Sequence, residues 1–245
     1  MVLATTTSVY DTGLLDSLLA IFEPESGIRV KPIAVGSGAA LDMARRGEAD
    51  AVLVHDPAAE EKAVARGDLV ERRRIMHNDF LLVGPPADPA GARNATIESA
   101  MIRIAGHGRF ISRGDGSGTE SRERTLWARA SIDPDTLSSR AETGQGQAAT
   151  LFVASERAAY TLTDRGTWLT LRSRVQLEPV VEGDTALLNV YTAYVVNPHQ
   201  HPKARTSLAR AFVAFLASPR AQALIGRFGV QRLGGQLFVP DVTHE

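Results

Sequence analysis

Short apolar segments alternate with helix-like segments through the first part of the chain. Strand-like segments lie at 28–35 and 51–54, and a shorter one lies at 2–4. Between them the apolar residues recur at helical spacing, as in 14–22. This order predicts a parallel sheet with right-handed crossovers. The run at 51–54 is continuously apolar, which is typical of a strand buried on both faces. The sequence therefore predicts the α/β class.

Two further apolar segments divide the chain into two predicted lobes. One segment ends at Val83, just before a Gly-Pro-Pro sequence that stops a strand, and the other begins at Val190. We therefore predict a discontinuous first lobe of residues 1–83 and 190–245, and a second lobe of residues 84–189. Each lobe is expected to contain a mixed, mainly parallel sheet flanked by helices. The chain would then cross between the lobes twice and form a double hinge.

The charge balance limits the partners of the chain. Its 245 residues include 27 basic and 28 acidic side chains, and the formal net charge is −1. A chain of this kind has no extended positive field to attract a polyanion, so no nucleic-acid partner is predicted. Any bound anion would have to be held by local dipoles and individual side chains.

Several features bear on metal sites, cofactors and location. The absence of cysteine excludes disulfides and thiolate metal sites. His199 and His201 flank a glutamine beside two prolines, which we interpret as a solvated turn, and neither a directly bound metal cation nor a cofactor is predicted. No apolar run reaches the roughly 18 residues of a membrane span. The first residues lack the pattern of a secretory signal, so we expect any such signal to have been removed.

Three loops combine hydroxyl side chains with exposed backbone at predicted strand ends. They are Thr6-Thr7-Ser8, Gly36-Ser37-Gly38 and the segment from Gly114 to Thr119. Ligands of open α/β sheets bind at the carboxyl ends of strands, where helix N-termini present unpaired N–H groups. Glycine allows close approach of the backbone, and Arg113 adds a permanently charged, forked donor. The pattern predicts an anion-binding site.

Each loop also has a purely structural interpretation. Serine and threonine are common helix N-caps, and Gly-Ser-Gly is a common turn. A catalytic interpretation fits less well, because Ser37 and Ser117 lack the flanking glycines of a nucleophile elbow and the chain has no nucleotide P-loop motif. No matched acid and base is evident, so the chain is not predicted to be an enzyme. An enzyme or a ligand-sensing domain of the same architecture remains an alternative.

Several longer segments carry a family resemblance. They are Thr5-Thr6-Thr7-Ser8, Ile33 to Leu41, Ala49 to His55, Pro57 to Glu60, Asn78-Asp79-Phe80, Ser112 to Thr119 and Ala159 to Thr167. In these segments, which span nearly the whole length, the chain resembles the periplasmic substrate-binding proteins of tungstate ABC transporters, within the wider class of phosphate, molybdate and sulfate binders. The threonine-rich opening and the Arg-Gly-Asp…Ser-Gly-Thr run are the most specific parts.

The resemblance implies a two-lobed periplasmic-binding-protein fold of type II. Its lobes would close over a tetrahedral oxyanion, with tungstate expected first and molybdate next, and the protein would then dock on its ABC permease. Binders of sulfate or phosphate with the same fold are the alternatives. The loops and the resemblance together predict as ligand-binding residues Thr6, Thr7, Ser8, Ser37, Gly38, Arg113, Ser117, Gly118 and Thr119. The secondary candidates are His55, Gly146 and Thr163.

Two positions depart from the family pattern. Asp56 stands where a small neutral residue is expected, and Gln147 stands where methionine is expected. A carboxylate pointing into an anion site would weaken binding, so Asp56 is expected to face outward.

Selectivity among oxyanions is expected to follow their protonation. Hydrogen phosphate carries a proton that requires an acceptor, whereas tungstate, molybdate and sulfate do not at neutral pH. We therefore expect a preference for a fully deprotonated anion, with pairing to Arg113 as the expected use of Asp115. The resemblance further implies a periplasmic or other extracytoplasmic location, and a monomer is expected.

Overall fold

The chain folds into two compact units. The structure is a computed structural model that describes residues 1–242, and the side chain of Ser8 lies outside this description. The terminal unit contains residues 1–77 together with the chain from residue 190 onwards, and the central unit contains residues 78–189. The division after residue 77 and the predicted crossing after residue 83 fall within one strand, so the lobe boundaries derived from the sequence stay a prediction.

Helices and strands alternate along much of the chain. The strands are β1 (Val2–Thr6), β2 (Lys31–Val35), β3 (Ala51–Val54), β4 (Leu69–Gly84), β5 (Phe110–Ser112), β6 (Arg140–Glu142), β7 (Thr161–Asp164), β8 (Glu178–Val181), β9 (Leu188–Val196) and β10 (Val239–Pro240). The helices are α1 (Thr7–Asp11), α2 (Leu14–Ser26), α3 (Ser37–Arg45), α4 (Pro57–Ala65), α5 (Ile97–His107), α6 (Gly118–Arg129), α7 (Gln147–Glu156), α8 (Arg165–Leu171), α9 (Thr206–Leu216), α10 (Pro219–Arg227) and α11 (Val230–Leu233). Within the described residues, no single helix has the length and apolar character needed to cross a membrane. The pair Thr206–Leu216 and Pro219–Leu233, bent by 56°, meets that test jointly, by length and composition.

The sheet of the terminal unit is built around β1. Strand β1 lies between β2 and β3 and runs parallel to both, with Thr6 opposite Val35 and Thr5 opposite Leu53. Strand β9 adds to β3 in the antiparallel direction. The continuously apolar β3 is buried along its whole length, which confirms the prediction made from its sequence. The carboxyl ends of β1, β2 and β3 therefore lie at one edge of the sheet.

The central unit has its own strands and its own core. The last residues of β4 pair antiparallel with β7 and β8. Strand β5 pairs parallel with β6, and Phe110 at its start forms a parallel bridge with Tyr160. The Phe110 ring packs edge to face on the fully buried Trp127, with ring centroids 5.2 Å apart. Strand β5 is thus held on both sides, which fixes the point at which Arg113 leaves it.

The start of the chain differs from the local prediction. The apolar spacing at 14–22 predicts a helix, with Thr12 as its expected N-cap by residue type, but Gly13 occupies the N-cap of α2 in the left-handed region, at φ 80°. Thr12 instead ends the short helix α1, and its hydroxyl donates to the carbonyl of Val9 at 2.8 Å. Because α1 is a single turn of hydroxyl and β-branched residues, no helical periodicity was available to predict it.

Strand β4 also differs from its prediction. It begins at Leu69, well before the short apolar segment that was predicted to end at Val83, and Arg72-Arg73-Arg74 lies within it. Only part of this segment is buried, so its charged residues interrupt the alternation of apolar and polar residues that would predict a strand.

Candidate functional site

The loop between β5 and α6 contains the charged candidate of the central unit. Arg113 follows directly after β5, and the chain then passes through Gly114 and Gly116, both in the left-handed region at φ 60° and 71°. A Cβ on Gly114 would approach the Cβ of Glu142 to 2.7 Å. Only glycine avoids both the backbone strain and this collision, so the sharp turn after Arg113 is encoded in the sequence.

Arg113 is held in place by its neighbours. Its Nε donates to Oδ2 of Asp115 at 3.0 Å, its Nη2 donates to the same oxygen, and its Nη1 donates to the hydroxyl of Thr119 at 3.3 Å. The side chains of Arg113 and Asp115 are 18% and 19% exposed, so this ion pair is largely buried but still reaches solvent. A guanidinium has more N–H groups than these bonds use, and the remaining ones can bind an anion.

Asp115 acts as an acceptor inside the same loop. Burial alone would raise its pKa, but hydrogen bonds from Ser117 and Arg113, together with the charge of Arg113, hold the pKa below its ordinary value. Its Oδ1 also accepts the backbone N–H of Ser117 at 3.2 Å. The expected pairing of Asp115 with Arg113 is therefore confirmed.

The N-terminus of α6 has a capping arrangement. The hydroxyl of Ser117 accepts the N–H of Glu120 at 3.3 Å, and the carboxylate of Glu120 accepts the N–H of Gly116 at 2.6 Å. The first amides of a helix have no partner within it, and here they belong to Gly118 and Thr119. Gly118 is exposed, whereas the side chain of Thr119 is buried beside Arg113. The helix thus begins with donors that suit an anion.

The secondary candidates of the central unit differ in their positions. The loop that contains Gly146, the N-cap of α7, is joined to the site because the N–H of Gly144 donates to the carbonyl of Arg113 at 2.8 Å. Thr163 lies in β7, is fully buried, and donates its hydroxyl to the carbonyl of Asp164. Among the described contacts, none joins Thr163 to the Arg113 loop.

The candidates of the terminal unit lie at the edge where its parallel strands end. Thr6 is the last residue of β1 and Thr7 the first of α1; Ser8, also in α1, has a side chain outside the described residues. Ser37 and Gly38 begin α3, and the N–H of His55, just after β3, donates to the hydroxyl of Ser37 at 3.4 Å. The parallel pairing predicted from the sequence is confirmed, and its register places the carboxyl ends of β1, β2 and β3 side by side.

Asp56 has a structural role at the start of α4. Its carboxylate accepts the N–H of Ala59 at 3.1 Å, which makes it the N-cap of this helix. The buried Glu60 accepts the N–H of Asp56 at 2.8 Å and the hydroxyl of Tyr194 at 2.9 Å. Burial raises the pKa of Glu60 to about 7, although the bonds from Tyr194 and from the Asp56 amide favour its ionised form. The additional carboxylate after His55 is therefore used for capping.

Gln147 also has an internal role. Its side-chain amide donates to the carbonyl of Leu162 at 2.8 Å, and it is 9% exposed. Its buried Oε1 has no hydrogen-bond partner among the described residues. The amide that replaces the expected methionine ties the first residue of α7 to β7.

A buried charged cluster in the central unit was missed from the sequence. Ser112, Glu123 and Arg140 bond to one another directly beneath the Arg113 loop. Glu123 lies in a segment so rich in charge that the sequence favours a solvated helix face, and Arg140 is isolated between turns. No pattern of spacing could have connected them, because they are brought together by the packing of α6 on β5 and β6.

Among residues 1–242, no group of three or more His, Asp or Glu side chains is placed to hold a metal ion. The N–H groups of Arg113 and of the first turn of α6 are donors, which suit an anion.

Comparisons with known proteins identify the family of the chain. Residues 1–220 match a family model described as a PBP superfamily domain. The tungstate-binding protein TupA of Peptoclostridium acidaminophilum is 43% identical over 247 residues, which cover 99% of this chain and 86% of that protein. The structure of the tungstate-binding protein TupA from Desulfovibrio alaskensis G20 has a TM-score of 0.92 and 41% identity, and the match covers 99% of both chains.

A second solved structure supports the same assignment. The structure of the tungstate ABC transporter from Geobacter sulfurreducens has a TM-score of 0.77 and 40% identity, and the match covers 92% of this chain and 97% of that chain. The chain therefore belongs to the PBP superfamily and, within it, to the family of these tungstate-binding proteins.

Proposed function

We propose that this protein captures a tetrahedral oxyanion outside the cytoplasm and delivers it to an ABC permease. Tungstate is the first proposed ligand, in line with the names of the relatives, and molybdate is the second. The observation that carries the proposal is the placement of Arg113, whose guanidinium is fixed by Asp115 and Thr119 beside the first free amides of α6. We further propose that the protein binds its ligand without chemical change and acts as a monomer.

The charge of the site favours binding by directed donors. Arg113 is the charged donor among the candidates, and Asp115 offsets its charge within the same loop. An anion bound here would gain mainly from hydrogen bonds, which must replace its hydration shell on most of its oxygens. The affinity for the anion would then depend mainly on the positions of the donors and little on the net charge of the site.

The state of Asp115 supports a preference for a fully deprotonated anion. Hydrogen phosphate needs an acceptor for its proton, and Asp115 is the nearest carboxylate to Arg113 in this loop. The oxygens of Asp115 already accept from Arg113 and from the Ser117 N–H, and its pKa lies below the ordinary value. We therefore propose that Asp115 orients Arg113 and leaves phosphate without a good acceptor.

The terminal unit supplies the remaining proposed donors. Hydroxyl and amide groups lie at one edge of its sheet, and they belong to Thr6, Thr7, Ser37 and Gly38. His55 lies beside Ser37. That these donors and Arg113 bind the same ion is a prediction from the sequence. Ser37→Ala tests this prediction. If both units bind one ion, Ser37→Ala and Arg113→Ala should each lower the affinity for tungstate.

Calorimetry with tungstate, molybdate, sulfate and phosphate tests the proposal. Wild-type protein should bind tungstate or molybdate most tightly, and Arg113→Ala should lose most of the affinity because a charged donor is removed from the site. Arg129→Ala is the matched control, since Arg129 lies at the other end of α6 in an exposed pair with Glu98 and should not affect binding. Phosphate as the tightest ligand would contradict the preference for a deprotonated anion. Absence of binding to all four ions would contradict the proposal itself.

A further inference from the structure

Three buried polar side chains form a closed triangle beneath the Arg113 loop. The hydroxyl of Ser112 donates to Oε2 of Glu123 at 2.5 Å. Arg140 donates from Nε to Oε1 of Glu123 at 3.0 Å and from Nη2 to the hydroxyl of Ser112 at 2.9 Å. The side chains of Arg140 and Glu123 are 5% and 3% exposed, so this ion pair lies in the interior.

The triangle fastens both ends of the candidate loop. Ser112 is the last residue of β5 and directly precedes Arg113. Glu123 lies one turn beyond Thr119 in α6, and residues four apart in a helix lie on the same face. A shift of Glu123 would therefore move Thr119, and a shift of Ser112 would move Arg113. The three side chains fix the separation of the two groups that the site needs together.

Arg140 also supports the middle of the loop. Its Nη1 donates to the carboxylate of Glu142 at 2.8 Å. The Glu142 side chain fills the space next to Gly114, where an added Cβ would come within 2.7 Å of it. The planar guanidinium of Arg140 thus donates three separate N–H groups. They bind Ser112 at the start of the loop, Glu142 beside Gly114, and Glu123 in the helix that follows.

The energetic cost of this arrangement indicates a purpose other than stability. Burying an ion pair costs about as much as its attraction returns, and apolar residues of similar volume often serve the fold equally well. Burial raises the pKa of Glu123 above its ordinary value in spite of the bonds from Ser112 and Arg140, so the ionised form is held at a cost. What an apolar substitute would lack is a directional bond to the end of β5.

We propose that Arg140 is a positioning residue of the oxyanion site, which fixes Arg113 relative to the first turn of α6 through Ser112 and Glu123. The proposal rests on the proposed function, because only there is Arg113 a ligand of the anion. The physical reason is preorganisation: donors that already stand in the bound geometry lose little conformational entropy when the anion arrives. A loosened loop would have to be ordered by the ligand, and the affinity would fall.

Arg140→Lys and Ser112→Ala test this role with little change in volume. Lysine keeps the charge beside Glu123 but cannot bond to three acceptors as a fork, and alanine removes the hydroxyl alone. The matched control is Tyr160→Phe, which keeps the backbone pairing of residue 160 with β5 and breaks a different, partly buried polar contact of the central unit, from the Tyr160 hydroxyl to Asp88 at 2.6 Å. Tungstate affinity is measured by calorimetry, stability by urea unfolding, and order of the loop at 113–119 by amide hydrogen exchange without ligand.

We expect both site variants to lose roughly tenfold or more in tungstate affinity, as supporting residues of metal sites do, and to exchange faster at 113–119. Tyr160→Phe should lose stability while its affinity and loop exchange stay at the wild-type values. The proposal is overturned if Arg140→Lys and Ser112→Ala bind as the wild type does, or if all three variants lose affinity in proportion to their stability. If the wild type binds none of the oxyanions, the proposed function fails, and loop exchange in the variants alone decides whether Arg140 holds the loop.

Discussion

The two units contain glycine loops of similar composition that are held in different ways. In the terminal unit, a Cβ built on Gly36 or Gly38 would meet no atom of the described residues within 4 Å. In the central unit, Gly114 adopts a positive φ and faces Glu142 at a distance that excludes any side chain. Gly36 and Gly38 therefore leave the backbone of the terminal unit accessible to a ligand. Gly114 instead permits a turn that no other residue could adopt without strain, here called the forced turn.

The buried carboxyl groups of the two units show a related difference. Glu60 in the terminal unit is held by the Tyr194 hydroxyl and the Asp56 N–H, which are neutral donors. Glu123 in the central unit is paired with Arg140. The hydrogen-bond donors to the buried carboxyl group are thus neutral in the terminal unit, whereas in the central unit the buried carboxyl group forms an ion pair beneath the Arg113 loop. Electrostatic control of the site is expected to come from the central unit.

The largest predicted effect concerns the forced turn. Gly114→Ala should lower the free energy of unfolding by about 2–4 kcal/mol, because it adds the strain of a left-handed residue to a collision with Glu142. Urea unfolding of the ligand-free protein measures this loss. Tungstate affinity should fall as well, since the turn places Arg113.

Two glycine variants serve as controls for this comparison. Gly116→Ala shares the positive φ but meets no described atom within 4 Å, so it should lose only about 1 kcal/mol. Gly38→Ala lies in α3 and should raise stability by about 0.5–1 kcal/mol, as alanine does in a helix. Equal losses for Gly114→Ala and Gly116→Ala would show that Glu142 yields, and the contrast between the units would break down.

The next effect concerns the pH dependence of the terminal unit. The unfolded chain ionises Glu60 near pH 4.5, but the folded chain keeps its proton up to about pH 7. The folded state therefore binds more protons in this window, and its stability falls as the pH rises through it. Glu60→Gln has no such proton to lose, so its free energy of unfolding should not show this fall. Between pH 4 and pH 8, its stability relative to the wild type should therefore rise by about 2–3 kcal/mol.

Denaturant unfolding at several pH values measures this difference. Tyr194→Phe sharpens the test, because it removes a donor that favours the ionised carboxylate and should extend the fall in stability to higher pH. A constant difference between Glu60→Gln and the wild type from pH 4 to pH 8 would contradict the assignment of the proton to Glu60.

The smallest effect compares two glutamines, one in each unit. Gln147 and Gln222 each have a buried side-chain oxygen without a hydrogen-bond partner among the described residues. The amide of Gln147 donates to the Leu162 carbonyl, whereas that of Gln222 donates to two carbonyls, of Ile75 and Leu216. Gln147→Met should change the free energy of unfolding by less than about 0.5 kcal/mol, because it removes one bond and one unpaired oxygen.

Gln222→Met is the matched variant in the terminal unit. It should lose about 1–2 kcal/mol, because two carbonyls lose their donor. Thermal or urea unfolding of both variants measures the difference. A larger loss for Gln147→Met than for Gln222→Met would mean that the tie between α7 and β7 matters more to stability than its single hydrogen bond indicates.

The fold class could be predicted from the sequence because its signal is local. The buried run at 51–54 and the spacing of Leu14, Leu15, Leu18 and Phe22 both appear as buried faces in the structure. The predicted α/β periplasmic-binding-protein fold is confirmed. The single turn α1 and the strands β6 and β8 were not predicted, because elements of a few residues carry too little periodicity to stand out.

The candidate site was only partly accessible from the sequence. Arg113, Ser117 and Thr119 stand within one short motif, and the structure brings Arg113 and Thr119 into contact. The roles of Asp56 and Gln147 were open until the N-cap of α4 and the tie to β7 were seen. The direction of a single polar side chain depends on neighbours that are distant in sequence, so a pattern of residue types does not contain it.

The amino-acid sequence alone determined the alternation of strands and helices in the first part of the chain, the placement of glycines where the backbone must turn, and the motif that contains Arg113. These follow from preferences of neighbouring residues, which operate over a few positions of the chain. Tertiary structure alone decided that Glu123 and Arg140 meet Ser112 beneath that motif, at separations of 11 and 28 residues from Ser112. The physical reason is that burial makes an unpaired charge costly, and only the packed chain shows which distant partner removes that cost.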